Sequence, residues 1–190
     1  KYDVPIHVRS SLHNRKGTMI VSETPSMERI VVSGAALKDK LARVTLKKVP
    51  DDPGVAGEIF HTIAQNGLVV DDIIQTLQDD NTATIAFTLH LKDLPEAEKV
   101  VGQIRKELGC EAVFEDHLAK VSVVGMGMRI HTGVAERMFS TLAQARINIQ
   151  NITTSEIKIS CLIDRERGAE ALRLVHDPFD LGKPQRRSAG

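Results

Sequence analysis

Residues 49–60 read VPDDPGVAGEIF and place two carboxylates, a proline and a glycine directly before an apolar run. Such a loop could cradle a phosphate, supply a pair of acid catalysts or cap a helix, because a helix start presents free backbone N–H groups and a positive dipole end. The segment RIHTGVAERMF at 129–139 repeats the Gly-Val-Ala and the phenylalanine four residues later, but no carboxylate precedes its glycine. Because the repeat keeps the helix start and drops the carboxylates, it favours a helix start over a phosphate loop or an acid pair.

The helix start in the first segment also offers a site for a zwitterion. The N–H groups that follow Gly54 attract an anion, and Asp51 just upstream could hold a cation or a hydroxyl group. A free amino acid carries both kinds of group. The alternative is that Asp51 or Asp52 caps the helix with Pro53 in its first turn, and this loop taken alone favours that alternative. The second Gly-Val-Ala shifts the weight towards binding, since capping needs no matching motif elsewhere.

The predicted strands and helices that would position these two loops also occur twice in the sequence. Residues 41–46 (LARVTL) and 118–123 (LAKVSV) are β-branched strands, each followed by a loop, a helix and an extended segment at 68–76 or 147–155. The two helices have apolar residues at the same offsets: Val55, Ile59, Phe60, Ile63 and Ala64 in the first, and Val134, Met138, Phe139, Leu142 and Ala143 in the second. The chain therefore contains an internal repeat, with one apolar face on each helix.

The first repeat continues with an alternating strand at 84–91, a helix that Pro95 opens and Gly109 stops, and a last strand at 111–116. The order β-α-β-β-α-β predicts two helices on one face of a four-stranded antiparallel sheet.

The second repeat lacks its last strand, whereas residues 29–37 form a spare strand before the first repeat. Because an unpaired strand needs a partner, we predict that 29–37 completes the second sheet. The predicted fold is α+β, with two ferredoxin-like βαββαβ domains of which the first is inserted in the second. The predicted boundaries are 1–28 for a linker, 38–116 for the first domain, 29–37 plus 117–180 for the second, and 181–190 for a disordered tail.

Composition argues against several classes of function. Formal net charge is zero and aromatic residues amount to 3%, so neither a global field nor base stacking favours a nucleic-acid partner. No apolar run approaches the roughly 20 residues of a membrane span. The seven histidines show no metal-ligand spacing, so no metal site is expected. Cys110 and Cys161 lie in or beside predicted strands, which indicates reduced core residues of a cytoplasmic protein.

A small ferredoxin-like hydrolase is an alternative of a different class. It would need a nucleophile or an anion-binding arginine at the loop before its helix, and the nearest candidates are Arg129 and His131. A histidine in an exposed loop is far more often solvated than catalytic.

The motifs of the two repeats together resemble the tandem ACT domains of aspartate kinase. The resemblance rests on Asp-x-Pro-Gly-Val-Ala at 51–56, on GMGMRIHTGVA at 125–135 and above all on TTSEIKIS at 153–160. The segment VPIHVRSSLHNRKGTMI at 4–20 is similar to the one that links the kinase domain of that family to its regulatory part. We therefore expect the regulatory part alone, as a separate β subunit or a fragment.

The resemblance implies a function as well. In that family, ACT pairs bind the end-product amino acids threonine and lysine and thereby inhibit the ATP-dependent phosphorylation of the aspartate carboxylate. The chain would then be no enzyme on its own and need no cofactor, whereas the missing kinase domain would use ATP and Mg. Its expected partners are threonine or lysine, a second copy in a homodimer, and a kinase-bearing α subunit or N-terminal domain. An ACT amino-acid sensor of another biosynthetic enzyme is the nearest alternative.

The resemblance also implies which residues bind the effector. Helix-start N–H groups would take the α-carboxylate, and strand backbone would take the ammonium group. In the first repeat the implied residues are Asp51, Gly54, Val55, Ala56, Val69, Val70, Asp71 and Gln75, and in the second they are Val134, Ala135, Asn148, Ile149, Ser155 and Glu156. The strand run of one unit would lie beside the helix start of its neighbour, so the pocket is expected between ACT units. Val69-Val70-Asp71 replaces the Asn-Ile-Asp of the family, which removes one side-chain contact, and Thr132 replaces a proline.

Overall fold

The computed structural model describes residues 6–12, 16–20, 32–125, 133–179 and 181. The strands are β1 (Ile6–Val8), β2 (Thr18–Ile20), β3 (Gly34–Pro50), β4 (Val70–Leu77), β5 (Thr82–His90), β6 (Glu111–Val124), β7 (Asn151–Thr154) and β8 (Lys158–Asp164). The α-helices are α1 (Val55–Gln65), α2 (Leu94–Leu108), α3 (Gly133–Gln144) and α4 (Gly168–His176). Strands β1 and β2 pair as a separate antiparallel hairpin.

The other six strands form one antiparallel sheet in the order β4-β5-β3-β6-β8-β7. Strands β3 and β6 lie at its centre and run through both halves. The sequence predicted separate strands within each of these segments, whereas the structure joins them into one. A β-bulge makes the joint: the register between β3 and β6 shifts between Lys38 and Leu41 and again before Arg43, and Lys40 has a φ of +56°.

The first part of β3 pairs with the second half of β6. Gly34 lies opposite Val124 and Lys38 lies opposite Lys120. The second repeat thereby has four strands, β3-β6-β8-β7, and the first repeat has β4-β5-β3-β6. The predicted insertion requires this pairing, and the insertion and the domain boundaries stay predictions. Residues 29–31 and, apart from Leu181, the predicted tail lie outside the described residues.

Each half of the sheet has its own hydrophobic core against two helices. In the first core, Phe87 and other β5 residues pack against α1 and α2. Helix α2 begins with Pro95 in its first turn and ends at Gly109 in a left-handed conformation, as the sequence predicted. In the second core, Val121 and Val123 of β6 pack against α3 and α4. Each half of the sheet therefore buries one face against two helices, and the two repeats have the same two-layer α/β packing.

The two cysteines are free and buried, one in each core, as predicted. Burial raises the pKa of the Cys161 thiol to about 12. No helix within the described residues is both long and apolar enough to cross a membrane. The same part of the chain contains no group of three His, Cys, Asp or Glu side chains arranged to hold a metal ion.

Candidate functional site

Helix α1 begins after Gly54, whose φ of +103° only glycine adopts without strain. The alternative interpretation, in which Asp51 or Asp52 caps this helix with its side chain, is wrong, because no side-chain hydrogen bond caps it. The backbone satisfies one donor at the helix start instead, since the Val55 N–H donates to the Asp52 carbonyl at 3.3 Å. The regular helical bonds begin with the Glu58 N–H, which donates to the Gly54 carbonyl at 3.0 Å. Both carboxylates are therefore available to a ligand at the helix start.

An open cleft of about 410 Å³ lies at this helix start. It is lined by Val49, Pro50, Asp51, Asp52, Pro53, Gly54, Ala56, Gln75, Ala83 and Ile85. Four of the predicted site residues, Asp51, Gly54, Ala56 and Gln75, are thus brought together. Val55 is not among the lining residues and packs on the first core. The volume falls in the range of about 300–1,000 Å³ that is typical of small-molecule sites.

The cleft has an apolar floor and a polar rim. Ala83 and Ile85 of β5 are buried beneath it, and Gln75 of β4 lies opposite Ile85 in the strand register. The loop is anchored from the other side, since the Asp51 N–H donates to the Asn81 carbonyl at 3.2 Å. Backbone N–H groups of the first helical turn could hold a carboxylate, and Asp51 or Gln75 could bind an ammonium, amide or hydroxyl group.

The predicted run at 69–71 lies away from this cleft, because none of its residues lines it. Val69 is 78% exposed and precedes β4, which is an edge strand. The Asp71 carboxylate already has partners: the ammonium groups of Lys120 and Lys38 each lie 2.8 Å from Asp71 Oδ2. Burial raises the Asp71 pKa, but these hydrogen bonds, first from Lys120 and then from Lys38, outweigh it and hold the pKa well below its usual value. With the Asp71 carboxylate engaged, the polar groups that the run could offer a ligand are those of its backbone.

The predicted residues of the second repeat lie on three separate segments. Val134 and Ala135 begin α3 and pack in the second core. Asn148 and Ile149 were expected in a strand, but β7 begins only at Asn151, so they lie in the loop before it. Ile147 and Ile149 pack on the second core, and the chain joins the sheet at Gln150, whose N–H donates to the Leu162 carbonyl of β8 at 2.8 Å.

The last two predicted residues, Ser155 and Glu156, lie in the exposed turn between β7 and β8, where the Ser155 N–H donates to the Lys158 carbonyl at 2.7 Å. Arg129 and His131, the candidates for a hydrolase, lie outside the described residues.

Comparison with known proteins gives both repeats the same family. A model of the ACT domain matches residues 43–109, and a second ACT-domain model matches residues 121–179. The crystal structure of the regulatory subunit of aspartate kinase from Thermus flavus is similar to this chain at 37% identity and a TM-score of 0.73, with 78% of this chain and 99% of that chain covered. The chain belongs to the aspartate kinase family.

Two further relatives define which part of aspartate kinase the chain resembles. An aspartate kinase from Pseudomonas fluorescens is 43% identical over 188 residues, which cover 98% of this chain and 46% of the relative. A chain in the crystal structure of aspartokinase alpha and beta subunits is 39% identical with a TM-score of 0.73, and the match covers 80% of this chain and 100% of that one. The chain therefore spans about half the length of the full aspartate kinase it matches. It carries the two α+β ACT domains of the regulatory part.

One feature of this aspartate kinase regulatory region was not predicted from the sequence. Lys120 is a buried lysine in the middle of the sheet, with only 4% of its side chain exposed. The signal that could have found it is the repeat itself, because Lys120 in LAKVSV and Arg43 in LARVTL are basic residues at the same position. A charged side chain inside a strand of buried apolar residues needs a partner of opposite charge.

Proposed function

We propose that the chain is an effector-binding regulatory module that senses an end-product amino acid, threonine or lysine, at the start of α1. Occupation of this site would inhibit the ATP-dependent phosphorylation of aspartate by a kinase domain or a kinase-bearing subunit. The observation that carries the proposal is the cleft in which Asp51, Gly54, Ala56 and Gln75 meet.

The cleft supplies complementary chemistry for each end of an amino acid. The α-carboxylate binds at the first turn of α1, where no side chain competes for the N–H groups and the helix dipole is positive. The side chain of the effector lies over the buried floor and ends at Asp51 or Gln75. A carboxylate and an amide can both accept from a threonine hydroxyl or a lysine ammonium group, so the residues leave both effectors open.

A second copy of the chain completes the pocket in this proposal. The ammonium group needs backbone carbonyls, and the run at 69–71 would supply them from a neighbouring ACT unit. The run is suited to this role because it begins an edge strand and because Val69 and Ile73 are exposed there. The matched structure of aspartokinase alpha and beta subunits supports a kinase-bearing α subunit as a further partner.

Titration calorimetry tests the proposal directly. We expect at least one of threonine, lysine, methionine and isoleucine to bind the chain, and Asp51→Ala and Gln75→Ala each to weaken that binding about tenfold or more. Asp79→Ala is the matched control, because this exposed carboxylate lies in the turn after β4 and outside the cleft. Absence of heat with all four amino acids would contradict the proposal.

A further inference from the structure

Two basic side chains occupy equivalent positions of the two repeats at the centre of the sheet. Leu41 and Leu118 begin the equivalent strand segments LARVTL and LAKVSV, and they lie opposite each other in the register of β3 and β6. Arg43 and Lys120 each lie two residues further along. A local two-fold relation between the repeats therefore places these two side chains symmetrically about the Leu41–Leu118 pair.

Arg43 connects the first repeat to the second. Its guanidinium group donates to both carboxylate oxygens of Glu115, at 2.7 and 2.8 Å, and also to the side-chain oxygen of Gln150 at 3.1 Å. Glu115 is its cross-strand neighbour on β6. Gln150 directly follows Asn148 and Ile149, so Arg43 holds the end of the candidate effector-binding run of the second repeat.

Lys120 makes the reverse connection, from the second repeat to the first. Its ammonium group lies 2.8 Å from the Asp71 carboxylate and 2.7 Å from the Asp72 carboxylate. Lys38, its cross-strand neighbour on β3, also donates to Asp71 at 2.8 Å. Asp71 ends the candidate run at 69–71, and Asp72 adopts a φ of +39° at a bulge in β4. Lys120 therefore holds the end of the candidate run of the first repeat.

The two networks are matched in position and balanced in charge. Asp71 and Gln150 are the third residues of the equivalent runs 69–71 and 148–150. Where the cross-strand neighbour is acidic, as Glu115 is, the run ends in a neutral amide. Where the neighbour is basic, as Lys38 is, the run ends in one carboxylate, Asp71, and a second carboxylate, Asp72, follows it. Each network is thus neutral as a whole, although the residue types differ, which indicates that the same cross-connection is made twice by different means.

We propose that Arg43 and Lys120 are positioning residues, each of which fixes the candidate effector-binding run of the opposite repeat and thereby sets how strongly that run binds its effector. The positioning part follows from the contacts alone, and the affinity part rests on the proposed function. Removing one partner of a buried ion pair leaves an uncompensated charge, so the run would lose its fixed position with Lys120 removed. The arrangement also makes each repeat responsible for the geometry of the other.

Hydrogen exchange tests the positioning part without any ligand. In Lys120→Met we expect the rise in exchange rate at the backbone amides of residues 70–77 to exceed the rise in α2 by about tenfold or more. In Arg43→Met the faster amides should be those of residues 151–154. Lys48→Met is the matched control, because Lys48 makes a solvent-exposed ion pair with Glu111 in the same sheet and should change neither segment.

Two results would overturn the positioning part: unchanged exchange at 70–77, or an equal increase at 70–77 and in α2, which would mean general loss of stability. If Lys120→Met does not fold, Asp72→Asn gives the same test, since it removes the negative charge of one partner of Lys120 and keeps the side-chain shape. It should raise exchange at 70–77 more than in α2, and the same two results would overturn the proposal.

Calorimetric titration with threonine and with lysine tests the affinity part on the same variants. Where the unsubstituted chain binds one of them, Lys120→Met or Asp72→Asn should weaken that binding about tenfold, and Lys48→Met should leave it unchanged. Equal binding by a variant with faster exchange at 70–77 would overturn the link to affinity. Binding of neither amino acid to the unsubstituted chain would overturn the affinity part together with the proposed function, while the exchange result would still decide the positioning part.

Discussion

The two repeats have the same backbone fold but differ in the side chains at their helix starts. In the first repeat, α1 begins after a glycine with a positive φ, and two carboxylates and Gln75 surround a cleft at that point. In the second repeat, α3 begins with the same Gly-Val-Ala, but Val134 is only 5% exposed and the remaining predicted residues lie on separate segments. A duplicated fold thus preserves the helix start while the ligand-contacting residues diverge. The two sites are therefore expected to differ in ligand and in affinity.

The central networks show the same contrast in their burial. Lys120 has 4% of its side chain exposed, whereas Arg43 and Glu115 have 19% and 24% exposed. The first run is therefore held by a buried ammonium group, whose partners Asp71 and Asp72 have 39% and 12% of their side chains exposed, and the second run is held by an ion pair in which both partners are partly solvated.

The largest expected effect comes from removing these two basic side chains. Lys120→Met should lower the free energy of unfolding by about 3–5 kcal/mol, because it leaves Asp71 and Asp72 without their buried partner. Arg43→Met should cost about 1–3 kcal/mol, since water can replace part of the lost contacts. Urea unfolding of both variants measures the difference. Equal losses in the free energy of unfolding would contradict the expectation that the Lys120 network stabilises the fold more than the Arg43 network.

The next effect separates the two helix starts. Gly54→Ala should lower the free energy of unfolding by about 1–3 kcal/mol, because a φ of +103° is strained for any residue with a Cβ atom. Gly133→Ala is the matched control in the second repeat, where an added Cβ meets open space and no positive φ is required. It should be neutral or slightly stabilising in the same urea experiment. An unchanged free energy of unfolding in Gly54→Ala would show that the start of α1 does not require a positive φ at residue 54.

The smallest effect is a difference in acid sensitivity between the networks. The folded-state pKa of Asp71 lies below its unfolded value of about 3.8, so the unfolded state takes up the proton first as pH falls. The stability that Asp71 contributes is fully present above about pH 5 and is lost progressively as the pH falls below it. The advantage of the unsubstituted chain over Asp71→Asn should therefore shrink between about pH 5 and pH 3.

Its control is Gln150→Leu in the second network. An amide does not titrate, so the difference between the unsubstituted chain and Gln150→Leu should stay constant over this pH window. Urea unfolding at several pH values measures both differences. A constant difference for Asp71→Asn as well would mean that the Lys120 and Lys38 contacts do not lower its pKa.

Local signals predicted much of this fold, since they depend on residues close in sequence. Pro95 and Gly109 bound a helix because each acts on its own backbone. The repeat of Gly-Val-Ala placed two equivalent helix starts, and Asp51 and Gln75 do line one cleft.

Features that depend on strand register could not be predicted from the sequence. The fusion of two predicted strands into β3 requires a left-handed Lys40, a conformation that lysine does not favour and that no local pattern indicates. The burial of Lys120 depends on carboxylates at 71 and 72, which only the folded sheet brings near. The backbone cap at Gly54 was missed because two nearby aspartates offered a more familiar cap.

A crystal structure of the chain grown with threonine and lysine would show whether the start of α1 binds an effector. We expect an amino acid at the start of α1, with its carboxylate on the first-turn N–H groups and the end of its side chain at Asp51 or Gln75. An amino acid bound elsewhere, or a cleft empty at concentrations that saturate binding in solution, would contradict it.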